Sequence, residues 1–253
     1  MTEESEIIPY YLSPPPGERI IVLAPHPDDE TFGCGGTVRL LRDAGKDVKV
    51  LFLTSGDKGD PSDPLSRETL STHVTAYALL REKEAQRALR VLGVSDYEFL
   101  RYPDRELHLH SEDLLLQILK RVETYGPDTL YAPSVVELNP DHRTAAVKAM
   151  EVQRSRSGAG GSGARPVRVV FYEVTTPLRP NMLVDVTSVY GRKKRAVRRY
   201  RSQRGPVDYL RHIEALNTMR SLTVQGPRYV EAFWCTESPL GEEEMTGWLS
   251  YGR

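Results

Sequence analysis

The sequence has few cysteines and almost no net charge, and both features exclude classes of protein. Its 253 residues include two cysteines, Cys34 and Cys235, too few for a disulfide framework and too far apart for a zinc ribbon. The formal net charge is −1, so no overall field attracts nucleic acid. Apolar and charged fractions of 39% and 27% are those of an ordinary globular protein.

The sequence is also expected to carry no targeting segment. The N-terminal stretch MTEESEIIPYYLSPPPGE is acidic and proline-rich, and it lacks the basic and apolar regions of a secretion signal. No apolar run approaches the length of about 20 residues that spans a bilayer. We therefore expect a reduced, cytoplasmic protein with no membrane span, in which residues 1–18 are an N-terminal extension and residues 19–253 form one domain.

Short apolar runs alternate with helical patterns along the chain. Strands are predicted at 19–24, 47–54, 97–100, 129–133, 167–174 and 183–187, and helices at 37–45, 76–92, 112–125, 141–153, 191–204 and 207–223. This β-α-β-α rhythm predicts an α/β fold, with a parallel sheet covered by helices on both faces. The glycine-rich segment at 157–165 is predicted to be a mobile surface loop rather than a domain linker.

Polar residues directly follow several of the predicted strands. The stretch HPDDE at 26–30 follows the first strand, TSGD at 54–57 ends the second, and NPDH at 139–142 follows the strand at 129–133. Ligands of parallel α/β sheets bind beyond the carboxyl ends of the strands. These side chains should therefore converge at one edge of the sheet.

Histidine and aspartate at such an edge favour a metal site. A catalytic zinc keeps three protein ligands and one open position, and histidine and aspartate are suitable ligands. His26, His142 and one of the neighbouring Asp28 and Asp29 could supply the three. The alternative is a helix N-cap, in which an aspartate accepts from free backbone amides. Capping needs one carboxylate and no histidine, so the two motifs together favour a metal.

These motifs resemble those of the zinc-dependent N-acetylglucosaminyl deacetylases of the PIG-L/LmbE type. The signature A-x-H-P-D-D-E lies at 24–30, and G-x-G-G-T at 33–37, R-x-x-E-A at 81–85 and P-D-H-R at 140–143 follow it. The resemblance extends from about residue 19 to 234. It implies a Rossmann-like catalytic domain that uses Zn²⁺ to remove the N-acetyl group from a GlcNAc-type amino-sugar conjugate, a hydrolysis of a linear amide bond.

The resemblance also assigns roles to the residues of the predicted metal site. It implies that His26, Asp29 and His142 bind the zinc, and that Asp28 is the general base that activates the attacking water. The spacing alone does not distinguish the two aspartates. On this assignment the metal lowers the pKa of a bound water, and the base takes the proton as the water attacks the acetamide carbonyl.

Three further residues have weaker assignments, two of them from the resemblance. Arg81 and Asp104 match positions that contact sugar hydroxyls in relatives. For Arg81 the alternative is an ion pair with Glu82 or Glu84 on the helix surface. Asp141 is predicted to orient the ligands of the metal, since ligating histidines need such partners.

Asn139 departs from the family pattern. Relatives commonly read H-P-D-H where this chain has Asn139 three residues before His142. An asparagine can donate a hydrogen bond but cannot donate a proton at neutral pH. We expect Asn139 to stabilise the oxyanion, with Asp28, or as a second candidate Glu137, returning the proton to the leaving amine. The alternatives are an amidase acting on thiol-sugar conjugates, and a zinc-bearing sugar-binding protein with little turnover.

Other partners are weakly specified by the sequence. The basic run at 192–204 favours a solvated helix face over a nucleic-acid contact, because no aromatic platform or RNA-binding signature accompanies it. Homo-oligomerisation is compatible with the sequence. The expected partner is a small N-acetylated amino-sugar conjugate, whose aglycone the sequence does not specify.

Overall fold

The computed structural model describes residues 12–59, 76–157, 165–204 and 207–239. Within these ranges a seven-stranded sheet has the strand order β3-β2-β1-β4-β5-β7-β6. The strands are β1 Arg19–Ala24, β2 Asp47–Thr54, β3 Asp96–Tyr102, β4 Thr129–Pro133, β5 Arg168–Tyr172, β6 Met182–Asp185 and β7 Val230–Thr236. The helices are α1 Asp29–Asp43, α2 Ala76–Leu92, α3 Ser111–Tyr125, α4 Pro140–Ser157, α5 Tyr190–Val197 and α6 Tyr209–Met219.

The sheet is mostly parallel, as the alternation of strands and helices predicts. Strands β3, β2, β1, β4 and β5 pair in parallel, whereas β7 runs antiparallel between β5 and β6. Alternate residues of β1 enter two apolar clusters: Ile20 and Val22 pack on the side of α1 and α2, and Ile21 and Leu23 on the side of α3 and α4. Helices thus cover both faces, and the predicted α/β fold is confirmed.

Helix α1 begins eight residues earlier than predicted. It was expected at 37–45, but it starts at Asp29, inside the first polar motif, and includes the glycines that follow. These glycines allow close packing: a Cβ on Gly33 would collide with the Tyr172 ring, and one on Gly36 would lie 2.7 Å from Val186. Each glycine destabilises a helix by about 1 kcal/mol relative to alanine, so helix propensity alone does not predict a helix that starts at Asp29.

The C-terminal part of the chain differs most from the prediction. The helix expected over 191–204 is the short α5, followed by a 3-10 turn at Arg201–Gln203. Lys193 on α5 is completely buried, so this basic run is not simply a solvated face. Strand β7 was not predicted, because the buried Glu231 interrupts its apolar pattern.

The described part of the N-terminal extension packs against the domain. Ser13 N donates to Leu183 O at 2.9 Å, and the Tyr131 hydroxyl donates to Pro16 O at 3.0 Å. The predicted mobility of the glycine-rich loop concerns residues that lie outside the described ranges, apart from its two ends. Among the described helices, none combines the length and the apolar character that crossing a bilayer requires.

Candidate active site

The three predicted metal ligands converge at the carboxyl edge of the sheet. His26 follows β1, Asp29 begins α1, and His142 lies in the first turn of α4. Asp29 Oδ2 lies 3.1 Å from His26 Nδ1 and 3.1 Å from His142 Nε2, and the two ring nitrogens are 3.3 Å apart. All three side chains are buried. The strand ends therefore bring together residues that are up to 116 positions apart.

This triangle of donor atoms fits a zinc ion. Zinc bound tetrahedrally by nitrogen and oxygen at about 2.0–2.1 Å separates neighbouring ligand atoms by about 3.3 Å. The observed edges of 3.1–3.3 Å match one face of that tetrahedron. Two histidines and one carboxylate are also a donor set that zinc accepts in catalytic sites. The cluster could therefore hold a metal ion.

Carboxylates lie near the outer nitrogens of both histidines. His26 Nε2 lies 3.1 Å from Asp104 Oδ1 and 3.3 Å from Asp141 Oδ2. His142 Nδ1 faces Glu137 Oε2 at 3.6 Å, an ion-pair separation without a hydrogen bond. A proton on each outer nitrogen leaves the inner nitrogen of the triangle free to act as a ligand. Because of these contacts, His26, Asp104 and Asp141 also lie close enough together to hold a metal ion. This second group shares His26 with the triangle.

Asp141 is fixed by the backbone of a neighbouring loop. Its carboxylate accepts from Arg105 N at 2.7 Å and from Leu107 N at 3.1 Å. It lies against His26, which belongs to the other polar motif. The role predicted for it as an orienting residue is compatible with this position and stays a prediction.

The cluster stabilises positive charge. Burial lowers the pKa of His142, but the Asp29 carboxylate outweighs burial and raises it to about 9. Burial likewise raises the pKa of Asp29, but His142 holds it well below its usual range. Burial raises the pKa of Asp104, and the charge of His26 reverses the shift and lowers it to about 2. A cation bound in the triangle would compensate the charge of Asp29, which the histidines now compensate.

Asp28 stands beside the triangle in a strained conformation. Its φ of 152° lies in a region that side-chain-bearing residues rarely adopt, and such strain is typical of functional sites. It precedes α1, but its side chain makes no capping bond. Instead Oδ2 accepts from Arg81 Nη2 at 2.8 Å. The N-cap alternative is therefore wrong for Asp28.

The protonation of Asp28 suits a base that works near neutrality. Burial raises its pKa, and the neighbouring Arg81 guanidinium only partly offsets that effect, so the value is about 7. General bases are most effective when their pKa is near the working pH. The predicted role of Asp28 is therefore chemically reasonable, and it stays a prediction.

Arg81 lies inside the site and not on the helix surface. Its Nη1 donates to Gly56 O at 2.6 Å and its Nη2 to Pro27 O at 2.9 Å, in addition to Asp28. The expected alternative of a surface pair with Glu82 or Glu84 is wrong. Those carboxylates bind elsewhere: Glu82 pairs with Arg101, and Glu84 accepts from the Ser202 hydroxyl. Contact of Arg81 with a sugar hydroxyl stays a prediction.

Asn139 is the N-cap residue of α4. Its Oδ1 accepts from Asp141 N at 2.8 Å, the contact expected of a cap two residues before the donor. The cap uses the side-chain oxygen, so the amide NH₂ group remains the part that could donate to an oxyanion. The donor role stays a prediction, and the capping role was not predicted from the sequence.

Glu137 is unsuited to the role of second proton donor. It is buried, and its carboxylate accepts from Val174 N at 2.7 Å and from the Thr175 hydroxyl at 2.7 Å. Burial raises its pKa, but His142 and these hydrogen bonds outweigh burial and lower it. Glu137 thus links His142 to the loop after β5, and this role has no local sequence signal.

Aromatic residues next to the site were also missed. The Tyr200 hydroxyl donates to Glu30, a buried carboxylate whose pKa burial raises to about 7. Phe32, one turn along α1, stacks on Tyr209 with ring centroids 5.4 Å apart. Both tyrosines lie some 170 residues from the first motif in sequence, so only the fold relates them to it.

Comparison with known families assigns this chain to a family. The model of the PIG-L family, described as GlcNAc-PI de-N-acetylase, matches residues 21–153, which include all three predicted ligands. The chain belongs to the PIG-L family. The predicted family is thus confirmed, and the matched range ends within α4.

Relatives of this PIG-L protein are named as deacetylases. The diacetylchitobiose deacetylase of Thermococcus kodakarensis is 31% identical over 198 residues, which cover 74% of this chain and 70% of the relative. A 1D-myo-inositol 2-acetamido-2-deoxy-alpha-D-glucopyranoside deacetylase of Kineococcus radiotolerans is 29% identical, over 64% of this chain and 53% of the relative. Deacetylases are hydrolases of amide bonds, so the predicted enzyme class is confirmed.

Solved structures share the fold of this PIG-L protein. The N,N'-diacetylchitobiose deacetylase from Pyrococcus horikoshii superposes with a TM-score of 0.73 at 28% identity, covering 92% of this chain and 90% of that one. The hydratase GalB from Pseudomonas putida superposes with a TM-score of 0.69 at 20% identity, which shows the fold alone. A hydratase on the same fold means that the reaction must be argued from the site.

Proposed function

We propose that this PIG-L protein is a zinc-dependent deacetylase that removes the N-acetyl group from a GlcNAc-type amino-sugar conjugate. The observation that carries the proposal is the buried triangle of His26, Asp29 and His142 with a separate carboxylate, Asp28, beside it. A catalytic hydrolytic zinc needs these parts: three ligands, an open position and a nearby base. The names of the relatives support the amino-sugar substrate class.

The residues of the site divide the chemistry between them. His26, Asp29 and His142 would hold the zinc, which when bound supplies a Lewis acid for water and for the amide carbonyl. Asp28 accepts the proton of the attacking water, and burial, which raises its pKa, favours the protonated form that this step produces. It then returns the proton to the nitrogen as the C–N bond breaks, which gives acetate and a free amine.

Polar groups around the triangle would position the substrate. Arg81 orients Asp28 through the 2.8 Å ion pair and could also donate to a sugar hydroxyl. Asp104 offers a carboxylate that accepts from Lys58 N at 3.0 Å and faces the same space as His26. Asn139 could donate from its amide to the developing oxyanion, since its oxygen is already used in the cap.

The test is release of acetate from a panel of N-acetylated conjugates, measured with added zinc and again with a chelator. The panel includes N,N'-diacetylchitobiose, a GlcNAc-inositol conjugate, a GlcNAc-malate conjugate and a thiol-sugar conjugate. We expect zinc-dependent acetate release from at least one GlcNAc conjugate. Binding of these conjugates without acetate release would favour a sugar-binding protein with little turnover, and release from the thiol conjugate alone would favour the amidase.

Compartment, assembly and partners stay predictions. A cytoplasmic location is compatible with the cysteines: both are free, and burial raises the pKa of the Cys34 thiol well above its usual range. We further propose a small-molecule substrate with no nucleic-acid partner. Size-exclusion chromatography with light scattering would decide whether the chain forms a homo-oligomer.

A further inference from the structure

A pocket of about 450 Å³ lies next to the candidate active site. Part of its wall is aromatic and is formed by Phe32, Tyr200 and Tyr209. Phe32 stacks on Tyr209 and meets Tyr200 edge-on, with ring centroids 5.6 Å apart in the second pair. Since Phe32 lies three residues after Asp29 on α1, this wall begins within one helical turn of the metal triangle.

One further contact connects the wall of this pocket to the first polar motif. The Tyr200 hydroxyl bonds to Glu30, the residue after Asp29. A sugar conjugate with its acetamide at the triangle would therefore have this pocket within reach of its aglycone.

The rest of the pocket carries positive charge. Arg198 and Arg204 line it, and both are exposed. Across the described ranges, no carboxylate lies within ion-pair distance of either guanidinium. The acidic residue among the pocket's described lining is Asp208, whose carboxylate accepts from Arg211 N at 3.1 Å as the cap of α6. The lining thus has an excess of one positive charge.

We infer that this pocket binds the aglycone of the substrate, and that this aglycone carries a carboxylate or phosphate that pairs with Arg198 and Arg204. The inference rests on the proposed function, because it takes the amino sugar to lie at the triangle. Guanidinium groups bind carboxylate and phosphate through paired hydrogen bonds. Phe32 and Tyr200 are buried, so the partly exposed Tyr209 is the ring that can pack against the carbon skeleton. Arg204 Nη2 donates to Arg198 O at 2.8 Å, but a neutral aglycone would leave both guanidinium groups without an anionic partner among the described residues.

The direct test is binding of deacetylated conjugates, which do not turn over. Isothermal titration of the zinc-loaded protein compares α-glucosaminyl L-malate, glucosamine 1-phosphate and the neutral α-glucosaminyl inositol. We expect at least one of the two anionic ligands to bind about ten-fold or more tightly than the neutral one, the scale of one charge-assisted contact. The preference should weaken as salt is raised, since the arginines are exposed.

The two arginines are tested by substitution with a matched control. Arg198→Gln, Arg204→Gln and the double variant should reduce the ratio of anionic to neutral affinity about ten-fold, with melting temperature unchanged. Arg199→Gln is the control, because Arg199 is equally exposed, lies next to Arg198 and does not line the pocket. It should retain the wild-type ratio.

The outcomes separate this inference from the proposed function. Equal affinity for all three ligands, or a preference that survives in the double variant, overturns the anionic aglycone. Acetate release is measured separately on the N-acetylated forms of the same conjugates. If the preference depends on the arginines but no conjugate releases acetate, the pocket assignment stands and the deacetylase proposal fails.

Discussion

Helix α1 contacts two buried charged clusters, and they differ in how their charges balance. In the middle of the helix, Glu231 accepts from Gly36 N and Thr37 N at 2.8 and 2.7 Å, and Lys193 Nζ donates to it at 2.6 Å. Lys193 also donates to Asn217 Oδ1 at 3.0 Å. We call Lys193, Glu231 and Asn217 the lysine cluster. Its one cation and one anion neutralise each other.

The second cluster, at the start of the same helix, has an excess of carboxylates. We call it the ligand cluster; its acidic members are Asp28, Asp29, Asp104 and Asp141, all buried. Within the described ranges, Arg81 pairs with Asp28, and the two histidines of the triangle face the other three carboxylates. Buried charge is costly unless a partner or a metal compensates it. Both clusters are therefore buried, but they differ in charge balance. The lysine cluster is neutral and suits a structural role, whereas the ligand cluster has excess carboxylates and suits a metal.

The largest effect should come from unbalancing the lysine cluster. Lys193→Met leaves the Glu231 carboxylate buried without its cation, so we expect a loss of about 3–5 kcal/mol in the free energy of unfolding. Urea denaturation measures it, with Arg195→Met on the exposed face of α5 as the control. A loss below about 1 kcal/mol, which is typical of a surface ion pair, would mean that the Lys193–Glu231 pair does not stabilise the fold as a buried pair should.

In the ligand cluster, removal of a charge should affect rate more than stability. Asp28→Asn keeps the size of the side chain but removes the base, so kcat should fall on the order of 100-fold or more. Metal content should stay close to that of the wild type, and the melting temperature should fall only modestly, because Arg81 loses its carboxylate but keeps Gly56 O and Pro27 O as acceptors. A variant with near-native kcat and bound zinc would show that another group is the base.

Glu137→Gln should produce an intermediate effect. The change keeps an acceptor oxygen for the loop after β5 but removes the negative charge that faces His142 Nδ1 at 3.6 Å, so zinc affinity should fall by about 10–100-fold. Competition with a chelating dye measures this affinity. The control is Glu151→Gln, since Glu151 lies on α4 as well but pairs with Lys148 at 2.7 Å, outside both clusters. Unchanged affinity in the Glu137 variant would remove this residue from the site.

The smallest effect is expected for the cap at the start of α4. Asn139→Ala should cost about 1 kcal/mol of stability because Asp141 N loses its acceptor. Asn139→Asp keeps the acceptor and loses the NH₂ donor. If Asn139 serves the oxyanion, the aspartate variant keeps its melting temperature and loses kcat. A wild-type kcat in both variants would leave Asn139 with the capping role alone.

The strand ends were predictable because several short apolar runs in the sequence are followed directly by polar motifs. The parallel sheet and the convergence of His26, Asp29 and His142 followed from the rule that strand ends meet at one edge. The choice of Asp29 over Asp28 as ligand came from the family resemblance. The geometry is compatible with that choice, because Asp29 completes the triangle and Asp28 pairs with Arg81.

The missed features depend on contacts between distant parts of the chain. The early start of α1 is visible only once Tyr172 and Val186 are packed against its glycines. The burial of Lys193 depends on its ion pair with Glu231, 38 residues away. Glu231 lies in β7, and this charged residue is also why the strand was not predicted. The burial of Arg81 was missed for the same reason. A basic residue on an amphipathic helix is usually exposed, but here the ion pair with Asp28, a residue distant in sequence, keeps Arg81 buried.

The metal content of the purified protein tests the central claim most directly. After incubation with zinc and extensive dialysis, elemental analysis should find about one zinc per wild-type chain. His142→Ala removes one corner of the triangle and should lose most of that zinc, whereas His212→Ala, an exposed histidine on α6, should keep it. Full zinc occupancy in His142→Ala, or none in the wild type, would contradict the assignment of this cluster as a metal site.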